Sequence, residues 1–145
     1  MPELLADPNV RMLAIVDLLL VLKMIALGNY TSFLRLRRRV YATPEDYALR
    51  AAMPAAGPDE DIERVRRAHR NDLENILLFF VVSFFYVLTR PSRGAAAIYL
   101  WGFLAARVLH SIFYIRSAQP HRTIAFTVGA VLLFVMLLST LVAVI

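Results

Sequence analysis

Four apolar stretches alternate with polar connections along the chain, and their lengths predict four membrane-spanning helices. They cover residues 12–34, 75–89, 94–115 and 123–145. About 20 helical residues are needed to cross the roughly 30 Å hydrocarbon core of a bilayer, so the first, third and fourth stretches are long enough by themselves. The second stretch is shorter. We expect its helix to begin upstream at the acidic segment 59–61, because acids favour the positive end of a helix dipole and Asp can cap it.

The pattern therefore predicts an all-α integral membrane protein, folded as a four-transmembrane-helix bundle in one domain over residues 1–145. The predicted helices cover residues 9–39, 60–89, 94–117 and 120–144, with a loop at 40–59. Pro91 and Pro120 mark the starts of the last two helices, since proline is favoured in a first turn. Asp17 and Lys23 interrupt the first apolar run, which indicates that it is not a cleavable signal peptide.

Composition and charge support a membrane protein and exclude other classes. Hydrophobic residues make up 59% of the chain, and the mean hydropathy is +0.60. The absence of cysteine excludes disulfides, thiolate metal sites and cysteine nucleophiles. The net charge of +5 comes from arginines that flank apolar segments, as the positive-inside rule requires, and does not indicate a nucleic-acid partner. Nine arginines lie between residues 35 and 70. We therefore predict that the first loop is cytosolic and that the N-terminus is lumenal.

Polar residues at the boundary of the second helix share one face. Arg67, Arg70, Asn71 and Glu74 have the spacing i, i+3, i+4 and i+7. In one interpretation, they are positive-inside arginines with intrahelical salt bridges. The other is a binding site, which is favoured because an unpaired carboxylate at the start of an apolar run is costly.

The third predicted helix repeats this pattern with Arg107, His110 and Tyr114 on one face. Ionisable residues within a span usually face the bundle interior or a wet cavity, and they mark functional sites. A structural alternative is that Arg107 pairs with an acid, Asp72 or Glu74, and so joins two helices.

The start of the fourth predicted helix offers an anion site. In the segment "PHRTIAF", residues 120–126, Arg122 and Thr123 lie near free backbone N–H groups and the positive dipole end. The alternative is an arginine that reaches to the interface. In a four-span chain these groups lie on one membrane side, together with Arg35 at the end of the first helix. Glutathione, with two carboxylates, one amine and an ionisable thiol, is complementary to such a set. The reaction class would be attack of its thiolate on an electrophile dissolved in the lipid.

Four segments resemble a known family, the membrane-associated proteins in eicosanoid and glutathione metabolism (MAPEG). These segments are "RLRRRVYATPEDY" (35–47), "ERVRRAHRNDLENI" (63–76), "ARVLHSIFY" (106–114) and "QPHRTIAF" (119–126). The resemblance implies four-helix subunits in a homotrimer, with glutathione bound between neighbouring subunits near the cytosol. It implies that Arg122, Thr123 and Asp46 are catalytic, and that the cofactor-binding residues are Arg35, Arg67, His69, Arg70, Asn71, Glu74, Arg107, His110, Tyr114 and Phe126.

The resemblance leaves the branch of the family open. Thr123 and Phe126 stand where the prostaglandin synthase branch has a serine and a tyrosine, whereas Arg70 is similar to that branch. The expected function is a glutathione transferase that conjugates lipophilic electrophiles and also reduces peroxides. Its location would be the endoplasmic reticulum membrane, with the mitochondrial outer membrane as a second site. The alternatives are a glutathione-dependent prostaglandin E synthase and a non-enzymatic lipid-binding protein. A channel is disfavoured because the charges cluster at one surface.

Overall fold

All secondary structure in the described part of the chain is helical, which confirms the predicted all-α class. The computed structural model describes residues 3–54 and 57–145. After a 3₁₀ turn at Leu4–Ala6, the helices are α1 (Pro8–Arg38), α2 (Pro44–Leu49), α3 (Glu60–Leu88), α4 (Arg93–Ile115) and α5 (His121–Val144). The bounds of the four long helices lie within two residues of those that the apolar pattern predicts.

The short helix α2 interrupts the segment that was expected to be a loop. The Thr43 hydroxyl accepts a hydrogen bond from the Asp46 backbone N–H at 3.4 Å, and Pro44 occupies the first turn. Thr followed by Pro and two acids is a helix-start signal. Residues 40–59 were nevertheless predicted to form one loop, so this helix was not predicted. The Tyr47 hydroxyl accepts from the Tyr41 N–H at 3.0 Å, which folds α2 back towards the end of α1.

The four long helices share a main apolar core, and a second, smaller buried cluster lies between α1 and α3. The buried members of the main core come from every long helix and include Val16 and Leu20 of α1, Ile76 and Phe79 of α3, Leu100 and Phe103 of α4, and Met136 of α5. The rings of Phe79 and Phe103 are stacked with their centroids 4.1 Å apart. Between helices in lipid the hydrophobic driving force is weak, so close packing of this kind and interhelical hydrogen bonds hold the helices together.

Much of the outward surface of the long helices is apolar. Among the described residues, α3, α4 and α5 are long and apolar enough to cross a membrane. Exposed side chains such as Leu78, Val81 and Phe134 would be an aggregation liability in water, but they suit a lipid environment. Helix α1 has 31 residues and also packs against α3 and α4, with Asp17 and Lys23 along its length. Its role as a fourth span remains a prediction.

An ion-pair clip joins the end of α1 to the start of α3. Arg38 donates to both carboxylate oxygens of Asp59 at 2.6 and 2.7 Å and to Asp61 at 2.6 Å. Asp59 also caps α3, because it accepts from the backbone N–H groups of Asp61 and Ile62 at 3.0 and 3.1 Å. The clip brings the first turn of α3 next to the last turn of α1.

The clip predicts a pH-dependent contribution to stability. The hydrogen bonds from Arg38 hold the pKa of Asp59 below its usual value of 3.8. A depressed pKa stabilises the fold fully above the unfolded value, and this contribution disappears as the pH falls through the folded value. Asn can cap a helix but cannot pair with Arg38, so we expect Asp59→Asn to unfold at a lower temperature than wild type at pH 7. Thermal unfolding in detergent from pH 7 to pH 3 measures the difference, which should shrink below pH 4. A difference independent of pH, or an equal effect of the distant control Glu3→Gln, would contradict this prediction.

Candidate functional site

Residues from α3, α4 and α5 line one polar cleft near the start of α5. Its lining residues are Asn71, His110, Tyr114, Arg122, Thr123 and Phe126, and its volume is about 270 Å³. These residues come from all three of the polar groups that the sequence analysis identified on separate helices. Asn71 projects from α3, while His110 and Tyr114 lie one turn apart on α4. We call this site the α5 cleft.

Arg122 is held in the α5 cleft by an aromatic ring and an amide. Its guanidinium carbon lies 4.6 Å from the centroid of the Tyr114 ring, a cation–π contact. With the Gln119 amide oriented to satisfy its neighbours, its oxygen accepts from Arg122 Nε at 3.1 Å and Nη2 at 2.5 Å, and its nitrogen donates to the Thr123 hydroxyl at 3.0 Å. Gln119 was not among the predicted site residues. These contacts orient the Arg122 guanidinium and the Thr123 hydroxyl, the two groups predicted to act together on the thiol.

The start of α5 offers fewer free N–H groups than the sequence predicted. Pro120, the N-cap residue, has no backbone N–H, and the N–H of Arg122 donates to the carbonyl of Ala118 at 3.0 Å. The turn before α5 therefore satisfies one of the donors that an isolated helix start would leave open. The side chain of Arg122, more than the backbone, supplies the positive charge for an anion in this cleft.

His110 and Phe126 form the less polar part of the cleft wall. The buried His110 ring lies 5.5 Å from the Tyr114 ring and 5.8 Å from the Phe126 ring, measured between centroids. Phe126 is 37% exposed, so its ring is open to the surroundings of the chain. The cleft thus combines a cation and hydrogen-bonding groups with an aromatic face.

Behind the α5 cleft lies a buried ionic cluster, formed by Lys23, Asp72, Arg107 and Ser111. Arg107 donates to Asp72 Oδ1 from Nε at 3.2 Å and from Nη2 at 2.7 Å. Lys23 pairs with the other oxygen of Asp72 and donates to the Ser111 hydroxyl at 2.7 Å. Arg107 therefore joins α3 to α4 through Asp72, and not Glu74, of the two acids considered. Sequence reasoning missed the role of Lys23, because a single cation in an apolar run carries no spacing signal.

The other predicted site residues lie elsewhere on the chain. Arg35 and Asp46 line a second cleft of about 230 Å³ beside α2, together with Tyr41 and Arg50. Arg67 and Arg70 line a third, of about 210 Å³, on the exposed face of α3. The half-buried His69 and the exposed Glu74 lie on α3 outside these clefts. Within one chain, the predicted residues are therefore divided among separate surfaces.

Comparison with known proteins identifies relatives over most of the chain. The model of the MAPEG family matches residues 13–142. The microsomal glutathione S-transferase 1 of Rattus norvegicus is 41% identical over 116 residues, which cover 77% of this chain and 75% of that protein. The human protein of the same name is 39% identical over 112 residues, or 74% and 72% of the two chains. The prostaglandin E synthase of Rattus norvegicus is 38% identical over 102 residues, or 70% and 67%. The chain therefore belongs to the MAPEG family of membrane proteins.

Proposed function

We propose that this protein is a membrane-bound glutathione transferase that binds glutathione as a thiolate and conjugates it to lipophilic electrophiles. The observation that carries the proposal is the position of Arg122, fixed over Tyr114 and beside the Thr123 hydroxyl in the α5 cleft. A fixed cation lowers the pKa of a nearby thiol because it stabilises the charged form. The relatives named as glutathione transferases support glutathione as the thiol substrate.

Each residue of the α5 cleft has a role in this mechanism. Arg122 holds the sulfur as a thiolate, and Thr123 donates to it or positions it. Asn71, His110 and Tyr114 hold the tripeptide, and the exposed ring of Phe126 faces the apolar substrate. The sulfur forms a bond to an electrophilic carbon, and the leaving group departs with the electron pair. The protein contributes positioning and electrostatic stabilisation.

The complete site is proposed to lie between two copies of the chain in a homotrimer. Arg35 and Asp46 line a cleft beside α2, whereas Arg122 lines the α5 cleft. A neighbouring copy that brings its α2 cleft against the α5 cleft would unite these groups and enclose the ligand. In this arrangement Arg35, Arg67, Arg70 and Glu74 bind the charged ends of glutathione, with His69 at the edge. Asp46 then acts with the Arg122 of the neighbouring chain.

A shared site predicts complementation between two inactive chains. We expect Arg35→Ala and Arg122→Ala to be nearly inactive alone but to recover activity when the two chains are co-expressed. In randomly mixed trimers about a quarter of the shared sites contain both intact residues, which gives about a quarter of wild-type activity. The measurement is the conjugation rate of purified mixed trimers. Mixing the separately purified variants without subunit exchange is the control. If both residues acted within one chain, every site would carry a defect and activity would stay at the level of the single variants.

The reaction itself distinguishes the two enzymatic candidates. The solubilised protein is incubated with glutathione and an apolar aryl halide, and the conjugate is detected by mass spectrometry. The alternative, a prostaglandin E synthase, is favoured by Arg70 and by the relatives of that name. It would isomerise a prostaglandin endoperoxide and regenerate glutathione. Because Phe126 lacks the hydroxyl expected in the synthase branch, we expect conjugation to be the faster reaction. Isomerisation without conjugation would favour the alternative.

Location and topology follow from the same proposal. With α1 as a fourth span, the clip at Arg38 and the start of α5 lie on the same membrane side. The positive-inside rule makes this side cytosolic, where glutathione is accessible, and makes the N-terminus lumenal. The electrophile enters from the lipid. The proposed compartment is the endoplasmic reticulum, with the mitochondrial outer membrane as a second location.

A further inference from the structure

The buried ionic cluster behind the α5 cleft contains more positive than negative charge. Lys23 and Arg107 share one carboxylate, that of Asp72. Asp72 is fully buried, and only 1% of Arg107 is exposed. Within residues 3–54 and 57–145, no second carboxylate pairs with either cation. The cluster therefore carries one more positive than negative charge.

Lys23, one of the two cations of the cluster, is the only lysine of the chain. All other cationic side chains of the 145 residues, apart from the histidines, are arginines. Lys23 lies inside α1, with its side chain 12% exposed, and donates to Ser111 as well as to Asp72. Two cations that share one buried carboxylate are costly, and an apolar side chain at position 23 would serve stability better. This cost indicates that Lys23 has a role other than holding the fold together.

Two contacts connect the cluster to the α5 cleft. Arg107 Nη2 donates to the side-chain oxygen of Asn71 at 2.6 Å. This oxygen already accepts from Arg107, whereas the amide nitrogen of Asn71 donates to no group within residues 3–54 and 57–145, so the nitrogen is the donor that Asn71 offers to a ligand. His110, which lines the cleft, follows Arg107 by one turn and precedes Ser111 on α4. The cluster therefore forms the back of the cleft and fixes the chemistry of its Asn71 wall.

We propose that Lys23 and Asp72 are positioning residues of the α5 cleft, and that the counter-charge the cluster lacks is supplied by an anionic ligand. Asp72 pairs with Arg107, and Arg107 donates to the Asn71 oxygen, so that the Asn71 amide nitrogen is left to donate to a ligand. Lys23 adds the second positive charge of the cluster behind Asn71. The inference rests on glutathione as the ligand under the proposed function. Neither residue touches the ligand, and both act through Arg107 and Asn71.

The test separates binding from stability with Lys23→Met. Without Lys23, Arg107 and Asp72 form a balanced pair, so ligand-free Lys23→Met should unfold at the wild-type temperature or above. Its dissociation constant for glutathione should rise about ten-fold, which corresponds to about 1.4 kcal/mol. Lys23→Arg keeps the charge and should restore much of the affinity. Arg11→Met removes an exposed cation from the same helix and should change neither quantity. Calorimetry and thermal unfolding of the full-length protein in detergent measure both.

The outcomes also distinguish this inference from the proposed function. If wild type binds glutathione and Lys23→Met binds it equally well, the inference is wrong and the proposed function stands. If wild type does not bind glutathione, the proposed function fails. The excess-charge inference is then decided by the ligand-free unfolding temperatures. A Lys23→Met protein that unfolds well below wild type, or does not fold, contradicts it in either case, because it would show that Lys23 stabilises the fold.

Discussion

Arg122→Ala is expected to lower the conjugation rate by about 10²- to 10³-fold, the range seen when one group that stabilises developing or bound negative charge is removed from an active site. Arg122 is the cation of the α5 cleft, where it lies over the Tyr114 ring. Without it the sulfur would be protonated at neutral pH and would react slowly. The measurements are the conjugation rate with saturating glutathione and the amount of bound thiolate.

Two control variants distinguish the loss of the cation in the α5 cleft from the loss of any cation near the membrane surface. Arg116→Ala removes an exposed cation from the same α4–α5 connection, and we expect it to retain wild-type activity. Arg122→Lys keeps the charge but loses the planar contact with Tyr114 and Gln119, so we expect intermediate activity. All three variants should unfold at temperatures close to wild type. An Arg122→Ala enzyme with full activity would exclude the proposed mechanism.

Asp72→Asn is expected to produce the largest loss of stability. It leaves Lys23 and Arg107 buried together without a counter-charge. Removing one partner from a buried ion pair typically costs about 3–5 kcal/mol, because the remaining charge is uncompensated. The free energy of unfolding in detergent measures the loss. Asp61→Asn removes an exposed acid from the same helix and should cost much less. An Asp72→Asn protein as stable as wild type would mean that the cluster is not charged as described.

The sequence predicted the helices because their signals are local. Apolar length, acids near a helix start and prolines before later helices depend on near neighbours along the chain. Asp59 caps α3 at the expected place. The pairing of Arg107 with Asp72 could also be foreseen as an alternative, since a charge within a span needs a partner. The start of α2 carried a local signal as well, in Thr43 and Pro44, and it was missed within a segment expected to be a loop.

The parts that could not be predicted depend on contacts between distant segments. Lys23 reaches Asp72 across 49 positions of sequence. Nothing around Lys23 in the sequence distinguishes a cluster member from a residue that interrupts an apolar run. Gln119 precedes the α5 residues that it orients, but its contact with Arg122 depends on the shape of the turn between α4 and α5.

The division of the predicted site among several surfaces has a similar cause. Motif resemblance groups residues by their role in a family, whereas one chain shows only the contacts made within that chain. Arg35 and Asp46 therefore lie away from Arg122 in the structure. Their proposed meeting depends on a second copy, and the co-expression experiment tests this directly.

The most direct test of the central claim is ultraviolet difference absorbance of the purified protein titrated with glutathione at neutral pH, which reports the thiolate band. We expect a saturable band in wild type that is absent in Arg122→Ala, because in the proposed mechanism the cleft binds glutathione and Arg122 ionises its thiol. Glutathione that binds by calorimetry without a thiolate band in wild type, or with an equal band in Arg122→Ala, would contradict the assignment of the α5 cleft as the site of thiol activation.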